Sequence, residues 1–194
     1  MILPNSVCVY CGASSRVSDR YKKAAHDLGT GLASRGVQLV YGGGRVGLMG
    51  IVADAAIAAG GRVVGIIPEH IQVLEVEHTA LAELHVVDSM HTRKRMMVDR
   101  SDAFVVLPGG LGTLDETFEV LTWKQLRLHD KPIVIVDEGG YWAPLAGLVD
   151  HMIGEGFCQP GHRNLFRIVD RVEDVFDALA AEPEPSLPPA SKWL

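Results

Sequence analysis

Residues 102–116 read Asp102-Ala103-Phe104-Val105-Val106-Leu107-Pro108-Gly109-Gly110-Leu111-Gly112-Thr113-Leu114-Asp115-Glu116. Ala103 to Leu107 is apolar without alternation, the pattern of a strand buried on both faces. The chain then enters a turn with three glycines and opens a helix, whose first hydroxyl is Thr113 and whose first carboxylates are Asp115 and Glu116. Glycines let a backbone approach a ligand closely, and the free N–H groups of a helix start face an anion. Phosphate is the natural guest. A carboxylate beside a phosphate is costly unless it acts on another part of the same molecule, so the stretch predicts chemistry on a phosphorylated substrate.

The same strand–turn–helix rhythm extends in both directions. Strands are expected at Ser6 to Tyr10, Val37 to Tyr41, Arg62 to Ile67, Glu83 to Val87 and Pro132 to Val136. Helices are expected at Ser18 to Ser34, Gly47 to Ala59, Ser89 to Ser101, Thr113 to Leu128, Tyr141 to Glu155 and Val172 to Ala180, with residues 68–82 irregular. Apolar strands alternating with amphipathic helices predict an α/β, Rossmann-like three-layer fold, a central parallel sheet with helices on both faces. Ligands in such folds bind at the carboxyl ends of the strands. The turns after Tyr10, Tyr41 and Leu107 should therefore meet at one edge. Residues 1–181 are expected to form a single nucleotide-binding domain, and residues 182–194, with four prolines, a poorly ordered tail.

Bulk properties exclude several function classes. The net charge of −6 argues against nucleic-acid or membrane-surface binding, so an anionic substrate needs a local basic cluster. No apolar run approaches the roughly 20 residues of a bilayer span, and no signal-peptide pattern is visible. Three cysteines, an odd count, fit a reducing cytoplasm. Cys8 and Cys11 form a CxxC pair, but Cys8 lies inside the first strand rather than at a helix start, and no second ligand pair for zinc is apparent. A structural role for the pair is favoured.

Three motifs each admit two readings. Gly42-Gly43-Gly44-Arg45-Val46-Gly47 satisfies GxGxxG between a strand and a helix, with Glu69 after the next strand where a ribose-binding acid belongs in a dinucleotide site. It follows the second strand, however, and tight helix–sheet packing explains it equally. In Met90 to Met97, Arg93 and Lys94 flank the inward face set by Met90, Met97 and Val98, while Arg95 and Asp99 point away. Cations there need an anion to receive them, unless the side chains snorkel to solvent. Finally, Thr113-Leu114-Asp115-Glu116 has capping-box spacing, which makes Glu116 a helix cap rather than a reacting group, and Asp115 and Glu119 fit solvent-facing positions.

Together these residues resemble the LOG ("lonely guy") family, cytokinin riboside 5′-monophosphate phosphoribohydrolases once labelled lysine decarboxylases. The resemblance spans most of residues 5–180. It rests on PGGxGTxxE at Pro108 to Glu116, on Met90-His91-x-Arg93-Lys94, on the GGGRVGLMG stretch from Gly42 to Gly50, and on Thr122-Trp123. It implies hydrolysis of the N-glycosidic bond of adenine-type nucleoside 5′-monophosphates, AMP or N6-substituted forms, to free base and ribose 5-phosphate. By position, Arg93 and Glu116 match the family's catalytic pair. Glu75, Lys94, Gly109, Gly110, Leu111, Gly112, Thr113 and Thr122 match substrate-contacting positions, and Gly43 and Gly44 are expected to bind substrate with them. The resemblance also implies a homodimer with sites near the interface and no need of metal or pyridoxal phosphate. The alternative is a nucleotide or molybdenum-cofactor carrier on the same type of fold.

Overall fold

The structure, a computed structural model, describes residues 2–72 and 81–181. Seven parallel strands form one sheet: β1 (Ser6–Tyr10), β2 (Gln38–Tyr41), β3 (Val63–Pro68), β4 (Glu83–Val87), β5 (Ala103–Val106), β6 (Ile133–Val136) and β7 (Arg167–Val169). Their spatial order is β4-β3-β2-β1-β5-β6-β7. The chain steps outward from β1 to β4, returns to place β5 beside β1, and steps outward again. The order thus reverses between β1 and β5, and a crevice opens at their carboxyl ends.

The helices are α1 (Asp19–Ser34), α2 (Gly47–Ala58), α3 (Glu69–Gln72), α4 (Met90–Asp99), α5 (Leu111–Gln125), α6 (Ala143–Gly154) and α7 (Val175–Ala180). Alternate residues of each strand feed two cores. Val7 and Val9 pack with Leu28, Leu32 and Val52 of α1 and α2 and with Phe176 of α7. Cys8 and Tyr10 pack with Met97 and Val98 of α4, Val120 and Leu121 of α5, and Leu145 and Val149 of α6. Burial on both faces explains why β1, β3, β5 and β6 carry no polar alternation. It also separates Cys8 from Cys11, which face opposite cores, and burial pushes both thiols far above their ordinary range. The pair is built for packing.

Two elements depart from expectation. β7 has three half-buried residues at the sheet edge, too few for a periodicity to register. Glu69–Gln72, expected to be irregular, form a single helical turn directly after β3. The proline-rich tail lies outside the described residues.

Candidate active site

The Gly-rich turns meet at the carboxyl edge of the sheet. Gly12, after β1, donates its N–H to the Pro108 carbonyl at 3.1 Å, and Leu48 at the start of α2 donates to the Gly12 carbonyl at 2.9 Å. A cleft of about 300 Å³ opens at the strand-order reversal, lined by Ser14, Tyr21, Leu48, Gly109, Gly110 and Tyr141 among others. Tyr141 donates its hydroxyl to the Gly109 carbonyl at 2.6 Å and meets the Tyr21 ring edge-on at 5.5 Å. Neither tyrosine carries a motif, so sequence reasoning missed this wall.

α5 begins earlier than its sequence suggests. Gly110 is the N-cap and Leu111 the first helical residue, which places Thr113 in the third helical position. The capping-box reading therefore fails: Thr113 caps nothing, and Glu116 lies beyond the first turn. The Thr113 side chain is buried instead against Gly109, where any Cβ would overlap its hydroxyl. Gly110 and Gly112 face open space, and Leu111 is 85% exposed. The start of α5 is thus open to solvent around Gly110, Leu111 and Gly112, and the N–H groups of a helix start in such a place suit an anion.

Glu116 sits six residues past that N-cap, about 9 Å along the axis, and helical side chains lean back toward the N-terminus. Its carboxylate is 10% exposed and lies 3.3 Å from the Arg93 guanidinium. Arg93 is held by its Nε–H bond to the Ile66 carbonyl at 3.2 Å and an Nη2–H bond to the Gly42 carbonyl at 3.4 Å. A Cβ at Gly42 would collide with the same guanidinium. That is the work of the first glycine in the GxGxxG stretch: it makes room for a protein cation, not a pyrophosphate. Gly43 and Gly44 are buried behind it, and Glu69 is exposed at the head of α3.

Burial raises Glu116 to about 7; Arg93 opposes the rise and Asp115 adds to it. Lys94 is also buried, its Nζ 3.0 Å from Asp115 and 3.2 Å from Glu119. Both inward cations of α4, Arg93 and Lys94, thus meet protein carboxylates, and neither snorkels to water. Asp115 and Glu119 are accordingly ion-pair partners, not merely solvated helix residues. Arg95 points away, as expected, in an exposed ion pair with Asp99. Ser89 caps α4 by accepting the Thr92 N–H, which fixes the phase of the helix.

Not every expected residue converges. Thr122 lies six residues beyond Glu116, about 240° further round the helix, where it is exposed and donates its hydroxyl to the Phe118 carbonyl. Within one chain it is turned away from Arg93 and Glu116. Glu75 lies outside the described residues. Among the described residues no cluster of three metal-ligating side chains occurs, and no helix is long and apolar enough to cross a membrane.

A family model described as possible lysine decarboxylase matches residues 49–179. A cytokinin riboside 5′-monophosphate phosphoribohydrolase of Rhodococcoides fascians is 45% identical over 177 residues, covering 91% of this chain and 89% of that one. The chain belongs to the LOG family. An Arabidopsis thaliana cytokinin riboside 5′-monophosphate phosphoribohydrolase is 42% identical, with 87% of this chain and 82% of its own length covered. The molybdenum cofactor carrier protein of Chlamydomonas reinhardtii shares the fold at a TM-score of 0.69, with 20% identity and coverage of 90% and 94%. At that identity only the Rossmann-like architecture of this LOG chain is shown.

Proposed function

We propose that this chain hydrolyses the N-glycosidic bond of adenine-type nucleoside 5′-monophosphates, AMP or an N6-substituted form, releasing free base and ribose 5-phosphate. The observation that carries the reading is Glu116: a buried carboxylate paired with Arg93, behind an open helix start, in a chain of the LOG family. The 5′-phosphate is received by the N–H groups of Leu111, Gly112 and Thr113 with the Gly109–Gly110 turn. The ribose then reaches back along α5 toward Glu116. Departure of the base leaves positive charge on the ribose ring, which the carboxylate stabilises. The base departs with the electron pair of the glycosidic bond and is protonated by solvent water, while a second water adds to the anomeric carbon and gives its proton to Glu116, whose value of about 7 suits a base at neutral pH. Arg93 holds Glu116 in place and balances its charge.

The decarboxylase description does not fit these residues. A Schiff-base lysine needs a free, unprotonated amine. Burial pulls Lys94 down, but Asp115 and Glu119 outweigh it and hold the ammonium above its ordinary value. Lys124, pushed down by burial, lies beside the amino ends of β6 and β7, at the opposite edge of the sheet. A carrier, for its part, has no use for a buried carboxylate with an aligned guanidinium.

The test is chromatography of the products from AMP and from N6-isopentenyl-AMP, with EDTA present. Wild type is expected to release base and ribose 5-phosphate. Glu116→Gln should lose at least about a hundredfold in turnover while binding AMP within a few-fold of wild type. Unimpaired turnover by this variant would make Glu116 a structural residue and end the mechanism above. We also place residues 1–181 in one domain and the protein in the cytoplasm as a homodimer. The odd count of three cysteines supports the compartment, and the exposed Leu111 at the site mouth supports the dimer. A monomer mass by light scattering would remove the dimer.

A further inference from the structure

The peptide between Gly109 and Gly110 has a glycine on each side, and nothing stands within 4 Å of where a Gly110 Cβ would be. Such a peptide is free to turn over. Half a revolution would carry φ at Gly110 from −98° into the positive region, which glycine enters without strain. The peptide is trans, so its carbonyl and the following N–H point in opposite directions. A reversal would exchange a donor for an acceptor in the turn that leads into α5. A carbonyl oxygen turned toward an anion repels it, so an anion site here needs a device that holds this peptide one way round.

The Tyr141 hydroxyl is placed to be that device, donating to the Gly109 carbonyl at 2.6 Å from a segment 32 residues further along the chain. The chain reaches this point through Gly139 and Gly140, whose φ values of 65° and 77° turn it sharply after β6. A Cβ at Gly139 would overlap the Arg20 guanidinium of α1. Arg20 in turn donates to the Tyr21 hydroxyl at 2.8 Å. The Tyr21 and Trp142 rings meet the Tyr141 ring edge-on at 5.5 Å and 4.9 Å, and the Asp137 carboxylate accepts the Trp142 N–H. The ring is therefore braced although Tyr141 is 38% exposed. Gly109 is confined on its other flank by Thr113 and Gly12, which a Cβ would overlap. We propose that Tyr141 is a positioning residue: its hydroxyl latches the Gly109 carbonyl and keeps the turn before α5 in the orientation that receives a 5′-phosphate. The proposal rests on the reading of that turn as the phosphate site, and it gives Tyr141 no contact with the reacting atoms.

Tyr141→Phe removes one hydroxyl from a part-exposed ring and leaves the ring in place, so the fold should tolerate it. AMP and adenosine differ by the phosphate alone. Calorimetric titration with each, in a Glu116→Gln background so that AMP is not consumed, isolates what the phosphate contributes. Tyr141→Phe should shrink the preference for AMP about tenfold and leave adenosine affinity within about twofold. In turnover with Glu116 present, KM for AMP should rise about tenfold while kcat stays within about threefold. An undiminished preference for AMP overturns the proposal. So does an equal loss for both ligands, which would make Tyr141 a wall against the ribose or the base. The carbonyl carbon of Gly109, labelled and followed by NMR, should shift when the hydroxyl is removed, and an unmoved signal also overturns the proposal. A wild type that prefers AMP to adenosine yet releases no base would instead overturn the hydrolase reading, and the titrations would still judge Tyr141. A chain with no preference for AMP would remove the phosphate site and the latch with it.

Discussion

At the scale of single residues, the site depends on one missing side chain. The Arg93 guanidinium occupies the space that a Cβ at Gly42 would need, while it donates to the Gly42 carbonyl. Gly42→Ala therefore meets the end of a flexible side chain rather than backbone, and the fold should tolerate it. Arg93 should swing off Glu116. We expect at least about a tenfold loss of kcat/KM, equivalent to about 1.4 kcal/mol of transition-state stabilisation, with little change in Tm. A large Tm loss at full activity per folded molecule would show that this glycine serves packing alone. In the sequence Gly42 belonged to a motif read as a turn or a pyrophosphate loop; only the approach of Arg93 from a distant helix shows its use.

At the scale of elements, α4 presents two kinds of arginine. Arg93 faces the sheet edge and Glu116, while Arg95 shares an exposed ion pair with Asp99. Exposed pairs of this type are worth about 0.3–0.5 kcal/mol. Arg95→Ala should keep at least about half the activity and shift stability by no more than that, whereas Arg93→Ala should lose about a hundredfold in turnover. Equal losses in the steady-state assay would refute the difference between the faces. This division was legible from the helical period of Met90, Met97 and Val98. What received the two inward cations was not, because Glu116, Asp115 and Glu119 lie on α5, across a tertiary contact. The start of α5 was misplaced for a related reason: Thr113 has capping chemistry, but packing against Gly109 puts it inside the helix.

At the scale of the whole molecule, the strand order and the burial of one carboxylate act together. The folded protein holds Glu116 at about 7, raised above its ordinary 4.5 by burial. A folded value above the unfolded one means that the native state binds the extra proton between those limits, so stability falls as pH rises from about 4.5 through 7. Ionised Glu116 then costs on the order of 3 kcal/mol relative to its protonated form. Glu116→Gln should gain on wild type in urea unfolding as pH rises from 5 to 8. A difference that stays constant across that range would show that the carboxylate is not desolvated. The sequence by itself determined the layered α/β class and six of the seven parallel strands, because burial on both faces leaves unbroken apolar runs at β1, β3, β5 and β6 and a mostly apolar run at β2, with the half-buried Glu83–Val87 closing the edge. It also determined the pairing of a phosphate-type loop with Glu116, because both lie within one continuous strand–turn–helix segment. The tertiary structure alone decided that β1 and β5 flank the crevice, that Tyr21 and Tyr141 wall it, and that Lys94 sits between Asp115 and Glu119. Those are contacts between segments far apart in the chain, and neither local periodicity nor spacing carries information about which distant side chains will share a charge.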